Sequence, residues 1–305
     1  MQANAPKPII VHSALFLVNV IYAASYTISK EVMPEFIGPS GFIVLRVLTA
    51  LVLLFFYHTL LIKKKIANAK DYLKIAVCAL FGVAINMLLF FEGLSLTSPI
   101  NASLMMVTTP ILVLLIAFIS GLERISIIRL CGILSGAAGA AMLVLASGES
   151  IGDGDWKGDI MVLLNAASFG IYLVLVKPLM KRYHSVTIIF WSFVFGSFMV
   201  LPFGYNDLAD TQWQTITSEA WLCIGFVTVF TTFIAYALNA WALQHVSASV
   251  VGSYIYLQPL LGTIIAIASG KYLLHWQQVI FAIMILTGVY MTSFRPRFVT
   301  KPDNH

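Results

Sequence analysis

The chain has 305 residues, of which 60% are hydrophobic and only 10% charged. About a quarter of the residues of a soluble domain are charged, so the composition excludes a soluble globular protein and points to lipid. The formal net charge of +5 does not mark a nucleic-acid surface, because the basic residues sit in separate loops between apolar runs instead of sharing one face.

Met1–Pro8 is short and polar, and the apolar run behind it is long enough to span and to remain as a first helix, unlike a cleaved signal peptide. Spans then read at roughly 9–29, 39–62, 73–92, 98–120, 127–147, 159–177, 186–205, 218–242, 247–269 and 275–294. Ten spans put both termini on one side. With the N-terminus placed in the cytoplasm, the inner segments hold fourteen Lys and Arg (from Lys7 to Lys301) against three outside, Lys30, Lys157 and Lys271. Arg46 alone is left inside a span. Both ends are therefore expected in the cytoplasm. Cys78, Cys131 and Cys223 each fall within an apolar run and set out neither a disulfide framework nor a metal site. The histidines His12, His58, His184, His245 and His275 sit near span ends without metal-ligand spacing.

One stretch occurs twice. Leu94–Gly121 (LSLTSPINASLMMVTTPILVLLIAFISG) lies over Leu243–Gly270 (LQHVSASVVGSYIYLQPLLGTIIAIASG) at a constant offset of 149, matching Ser98 to Ser247 and Pro110 to Pro259. The same offset carries Gly139 onto Gly288, and an offset of 146 carries Asn19 onto Asn165 and Tyr26 onto Tyr172. Each half holds five spans, an odd number, so the second half enters the membrane from the opposite side. The expected fold is an all-α membrane protein of ten transmembrane helices in two inverted five-helix repeats, 9–147 and 159–294. The acidic linker 148–158 lies outside between them. Its Asp153, Asp155 and Asp159 do not make an EF-hand, because Lys157 replaces an oxygen ligand and no Glu closes the loop. Gly132, Gly136 and Ala140 form a small-residue stripe suited to close helix packing, within the chain or in a homodimer.

Polar groups in hydrocarbon need partners or a wet cavity. On the fourth span Asn101, Met105 and Thr109 share a face that ends at Pro110. The repeat carries this face onto Val250, Tyr254 and Gln258, ending at Pro259. Each proline frees a carbonyl and is expected to kink its helix. The stripes are read as lining a substrate cavity. Asn19 and Asn165, with Asn86, Tyr236 and Asn239, either line the same space or bond helix to helix. Arg46 needs a partner and is placed among the expected substrate-binding residues. Glu92 ends the third span on the same outer side and either pairs with Arg46 as a gate, binds a proton or cation, or snorkels to the interface.

Ten spans in two halves, each with a helix carrying a central proline after a small-residue run, resemble the drug/metabolite transporter superfamily. LSLTSPINASLMMVTTPIL, its Leu243–Leu261 copy and the glycine-rich span after the first copy are similar to EamA-type repeats. The resemblance implies the bacterial inner membrane and export or exchange of small metabolites such as amino acids by alternating access. The second copy departs from the first in carrying Tyr254 and Tyr256 where the first has methionines, which leaves the substrate open.

The chain carries no P-loop, H-E-x-x-H or G-x-S-x-G sequence and only short loops, so a secondary transporter outranks a membrane-embedded enzyme or a receptor. An uncoupled, channel-like facilitator is the alternative. The expected partners are a small-molecule substrate and the lipid bilayer, with no nucleic acid, no cofactor and no metal. A homodimer is possible, although a monomer suffices.

Overall fold

A computed structural model describes residues 6–146, 155–268 and 276–293. Most of the expected linker, including Asp153, and also Gly270, Lys271, His275 and the basic tail from Arg295 to Lys301 lie outside the described residues. Among the described residues all regular structure is helical. Ten helices are long and apolar enough to cross a membrane: Pro8–Lys30, Pro39–Ile62, Ala69–Leu96, Asn101–Ile119, Ile127–Leu145, Trp156–Met180, Ser185–Asp210, Ser218–His245, Ala248–Ile265 and Trp276–Ser293. They are called spans 1 to 10 below.

Two ends run past the apolar stretch, and polar side chains form hydrogen bonds there. Span 3 starts at Ala69, where the Asn68 side chain accepts the Lys70 N–H. Span 7 continues to Asp210, and its Asp207 Oδ2 accepts the Gly41 N–H at 3.2 Å.

The duplicated stretch opens with the same device in both halves. Ser98 Oγ accepts the Asn101 N–H at 3.1 Å, and Ser247 Oγ accepts the Val250 N–H at 3.4 Å. Each serine thus satisfies one N–H that a helix start leaves without a partner. The two expected proline kinks take the form of interruptions. The fourth span breaks between Pro99–Met106 and Thr109–Ile119. The ninth passes through a 3₁₀ turn at Tyr254–Tyr256 before Leu257–Ala268. In both, proline sits in the first turn after the break, where its missing N–H costs least. A second pair of irregularities gave no sequence signal. Spans 3 and 8 each widen into a π-helix, at Leu80–Ala84 and Val227–Ile234, which the offset of 149 superposes.

Packing follows the inverted symmetry. Span 1 packs on spans 8 and 9, and span 6 packs on spans 3 and 4, so the first helix of each half is clasped by the other half. Span 2 packs on span 7 and span 5 on span 10, each with its own counterpart. The small-residue stripe of span 5 serves that last contact. A Cβ added at Gly288 would lie 2.6 Å from the Gly132 carbonyl oxygen and from the Gly136 nitrogen, so the two backbones touch within the chain. Large apolar side chains such as Phe16, Val52, Phe55, Leu134 and Ile283 point outward, as the lipid-facing side of a span requires.

Candidate substrate site

A cavity of about 90 Å³ lies where the two halves meet. The first half supplies Asn19, Tyr22, Ser25 and Tyr26 from span 1, Arg46 from span 2, Asn86, Met87, Phe90 and Phe91 from span 3, and Met106 from span 4. The second half supplies Asn165 and Phe169 from span 6, Thr231, Tyr236 and Asn239 from span 8, and Val251, Ile255 and Gln258 from span 9. Among the described residues spans 5, 7 and 10 contribute nothing to the lining and pack around it. A narrow cleft shares Tyr22, Phe169, Tyr236 and Asn239 with the cavity and continues to Leu243, at the end of the bundle where the N-terminus lies.

The two expected stripes do not lie together on this space. Gln258 lines the cavity, but Asn101, Met105, Thr109, Val250 and Tyr254 do not. Their expected alignment assumes an unbroken α-helix, and both helices are interrupted. The 3₁₀ turn at Tyr254–Tyr256 winds more tightly, so Val251 and Ile255 take the positions expected of Val250 and Tyr254. Span 4 breaks after Met106, which faces the cavity in place of Met105. Thr109 is fully buried against the Met106 sulfur, and Asn101 is buried with its Oδ1 lacking a hydrogen-bond partner. The Tyr254 hydroxyl bonds His12 Nδ1 at 2.7 Å, in a separate cavity at the N-terminal end of the bundle.

The matched asparagines do different work. Gln258 Nε2 donates to Asn19 Oδ1 at 2.9 Å, Tyr26 donates to Gln258 Oε1 at 3.0 Å, and Asn19 Nδ2 donates to the Leu15 carbonyl at 2.8 Å. This closed set ties span 1 of the first half to span 9 of the second. Asn165 Nδ2 donates instead to the Asn86 carbonyl at 2.7 Å, and its Oδ1 has no partner. Tyr236 reaches Gly82 O at 3.4 Å and Asn86 Oδ1 at 3.5 Å. Thr231 Oγ1, in the π-helix of span 8, is buried and has no partner either.

Arg46 is 1% exposed. Its guanidinium lies 4.1 Å from the centroid of Phe91 and 5.6 Å from that of Phe42, and its Nε donates to Thr232 Oγ1 at 2.9 Å. The pairing with Glu92, one of the three alternatives for that residue, is not formed. No carboxylate lies within ion-pair distance of Arg46 among the described residues, and Glu92, half-buried and off the lining, accepts the Ser40 hydroxyl at 2.5 Å. Arginine does not shed its proton, so the charge has to be accommodated. Burying an ion costs several kcal/mol. A desolvated cation–π contact returns about 2 kcal/mol, and a hydrogen bond to a charged group about 1.5–3 kcal/mol. Nη1 remains buried without an acceptor. The guanidinium is thus held in place yet left short of one charged hydrogen bond.

Polar ties close both ends of the bundle, and the sequence reading missed most of them. At the N-terminal end, Arg182 and Tyr183 both bond the fully buried Asp71, with Arg182 Nη1 at 2.9 Å and the tyrosine hydroxyl at 2.8 Å. Glu123 accepts Arg129 at 2.9 Å and both the N–H and the hydroxyl of Ser249, joining a first-half loop to the start of span 9. The Lys177 ammonium donates to the carbonyls of Leu243 and Val246 at the end of span 8. At the other end, Lys30 donates to Ser95 O at the end of span 3 at 3.4 Å, and Thr97 donates to Asp159 at 2.6 Å. A signal for the lysines was present, since Lys30 and Lys177 lie within one residue of the offset that superposes Asn19 on Asn165.

Comparison with known proteins bears on this arrangement directly. The EamA-like transporter family model matches residues 9–145 and 156–294, once in each half. The chain belongs to the EamA-like transporter family. An uncharacterized transporter of Archaeoglobus fulgidus is 25% identical, with 92% of this chain and 96% of that protein covered. The Arabidopsis thaliana protein WALLS ARE THIN 1 is 24% identical over 95% of this chain and 84% of its own length. A solved crystal structure shares the fold at a TM-score of 0.74 and 16% identity, covering 94% of this chain and 97% of that one. Family and relatives indicate a transporter rather than an enzyme. This EamA-like chain is a multi-pass membrane protein of the drug/metabolite transporter type.

Proposed function

We propose that this EamA-like protein is a secondary transporter that exports or exchanges small metabolites, amino acids or related compounds, by alternating access around the central cavity. The observation that carries the reading is the lining itself. Seven spans drawn from both inverted halves converge on one space, with unpartnered polar atoms on Arg46, Asn165 and Thr231. Inverted-repeat transporters bind at such a repeat interface and expose it alternately by rocking one half on the other. The Lys and Arg distribution supports an orientation with both termini in the cytoplasm, and the bacterial inner membrane is proposed on the family resemblance. Purified protein in sealed liposomes, loaded and assayed with labelled amino acids and organic acids with and without a pH gradient, tests the function. Protein-dependent flux that saturates with concentration is the expected result, and flux no faster than in protein-free vesicles refutes it. Orientation is tested in cells: Ser150→Cys should react with an impermeant maleimide from outside, and labelling only after the membrane is opened overturns the topology.

A further inference from the structure

The cavity holds one formal charge and nothing to balance it. Among the described residues Arg46 is the only Lys or Arg in the lining, and no Asp, Glu, His or Cys joins it there. Its Nε is committed to Thr232 and its face to Phe91, which fixes the plane of the guanidinium and leaves Nη1 buried without an acceptor. Thr231, the residue before Thr232, brings an unpartnered hydroxyl to the same lining. An orphaned charged donor on a rigid plane, held within hydrocarbon, is matched by a planar oxyanion that accepts from the guanidinium edge.

We infer that Arg46 is the carboxylate anchor of the cavity, and that the transported molecule carries a single carboxylate, as an anion or a zwitterion, and is not a simple cation. The inference rests on the transporter reading and adds the substrate's chemical class. Charge count selects the carboxylate over a phosphate. One guanidinium neutralises a monoanion, whereas a phosphate near neutral pH carries up to two charges and no second cation lines the space. A cationic ligand would meet Arg46 with no carboxylate to offset it. A zwitterion's ammonium has Asn165 Oδ1, which is buried and unpartnered, and the faces of Phe90 and Phe169.

The test uses matched quartets: alanine, alaninamide, propionate and propionamide, with the corresponding sets built on leucine and on phenylalanine. Thermal stabilisation of the detergent-purified full chain reports binding, and flux in liposomes reports transport. At least one quartet is expected to show its carboxylate members binding about tenfold or more tightly than the matched amides. That preference should fall below about twofold in R46Q and be intermediate in R46K, which keeps the charge without the fork. T231V leaves the Arg46–Thr232 bond intact and should weaken the acids a fewfold while retaining the wild-type melting temperature without ligand. A purely structural Arg46 would lower the ligand-free melting temperature in R46Q and leave acid selectivity where it was. The assignment is overturned if no carboxylate outcompetes its amide in wild-type protein, or if R46Q keeps the preference. Flux of amides or amines equal to that of the acids overturns the anchor but not the transporter. Acid-selective binding without flux of any member does the reverse.

Discussion

The bond between Asn19 and Gln258 crosses the interface of the two halves, so its strength measures how firmly they are held. Asn19→Leu leaves Gln258 Nε2 without its partner. Gln258→Leu leaves two groups, Asn19 Oδ1 and the Tyr26 hydroxyl. The double variant leaves only the Tyr26 hydroxyl. At about 1–3 kcal/mol for each stranded buried group, the singles cost roughly 1–3 and 2–6 kcal/mol, and the double returns to roughly 1–3 kcal/mol. Two effects shrink the difference. Water in the adjoining cavity reaches stranded atoms, and unfolded helices within a membrane find other partners, so measured couplings there average about 0.6 and reach about 1.7 kcal/mol. The expected coupling is therefore roughly 0.6–1.7 kcal/mol, with the double variant more stable than the two singles added. Reversible unfolding in mixed micelles by detergent titration, run on wild type and all three variants, reads it. Additivity within about 0.3 kcal/mol would mean that these side chains are solvated separately and do not join the repeats.

Gly288→Val should lower the melting temperature by the equivalent of about 1–3 kcal/mol, because the new Cβ meets backbone on span 5. Gly225→Ala, at a site open on all sides, should be neutral or slightly stabilising, and equal loss in both would refute the packing argument. Burial, with His58 and Lys64 nearby, holds His184 below the usual histidine range, while its Nδ1 accepts the Val186 N–H. A folded pKa below the unfolded one contributes stability that is complete above about 6.5 and is lost as the pH falls toward the folded value. Acidification from about pH 7.5 to 5.5 should therefore lower the wild-type melting temperature more than that of His184→Asn, whose carboxamide caps without titrating, and parallel acid slopes would refute this. Glu92 is off the lining and bonded by Ser40, so Glu92→Gln should keep both exchange and gradient-driven accumulation. Loss of accumulation with exchange intact would make it the proton carrier instead.

The ten spans were legible because each needs about twenty apolar residues, and the inverted pairing because Ser98, Pro110 and Gly139 recur as Ser247, Pro259 and Gly288 at one offset. Asn19, Arg46, Asn86, Asn165, Tyr236 and Asn239 all line the cavity. Of the two stripes beside the breaks of spans 4 and 9, only Gln258 does. Periodicity carries azimuth along a helix at 100° per residue, and a 3₁₀ turn or a two-residue gap resets it, which moved Met105, Val250 and Tyr254 off the face. The π-helices of spans 3 and 8, and with them Thr231, arise from tertiary packing that residue types alone do not encode. Phe91 offered itself as one more apolar residue, and only its position over Arg46 gives it a role.

The inverted symmetry makes a demand on the two lysines that a single site would not. Lys30 and Lys177 each end the first span of their half, and each donates to carbonyls at the end of that half's third span, where the helix dipole favours a cation. Because the halves are inverted, the two clasps lie at opposite ends of the bundle. The Lys177 clasp is the tighter, with 2.5 Å to Val246 O against 3.4 Å for Lys30 to Ser95 O, and it sits beside the cleft that runs from the cavity to Leu243. If each clasp favours closure of its own end, removing one shifts the balance between states toward the opening on that side. Lys177→Met should raise the reactivity of a cysteine placed at Ala240, within the cleft, toward a reagent admitted from the N-terminal side, and Lys30→Met should lower it. The smaller change belongs to Lys30, whose bond is the longer. Shifts of the same sign in both variants would show that the lysines act on helix stability alone.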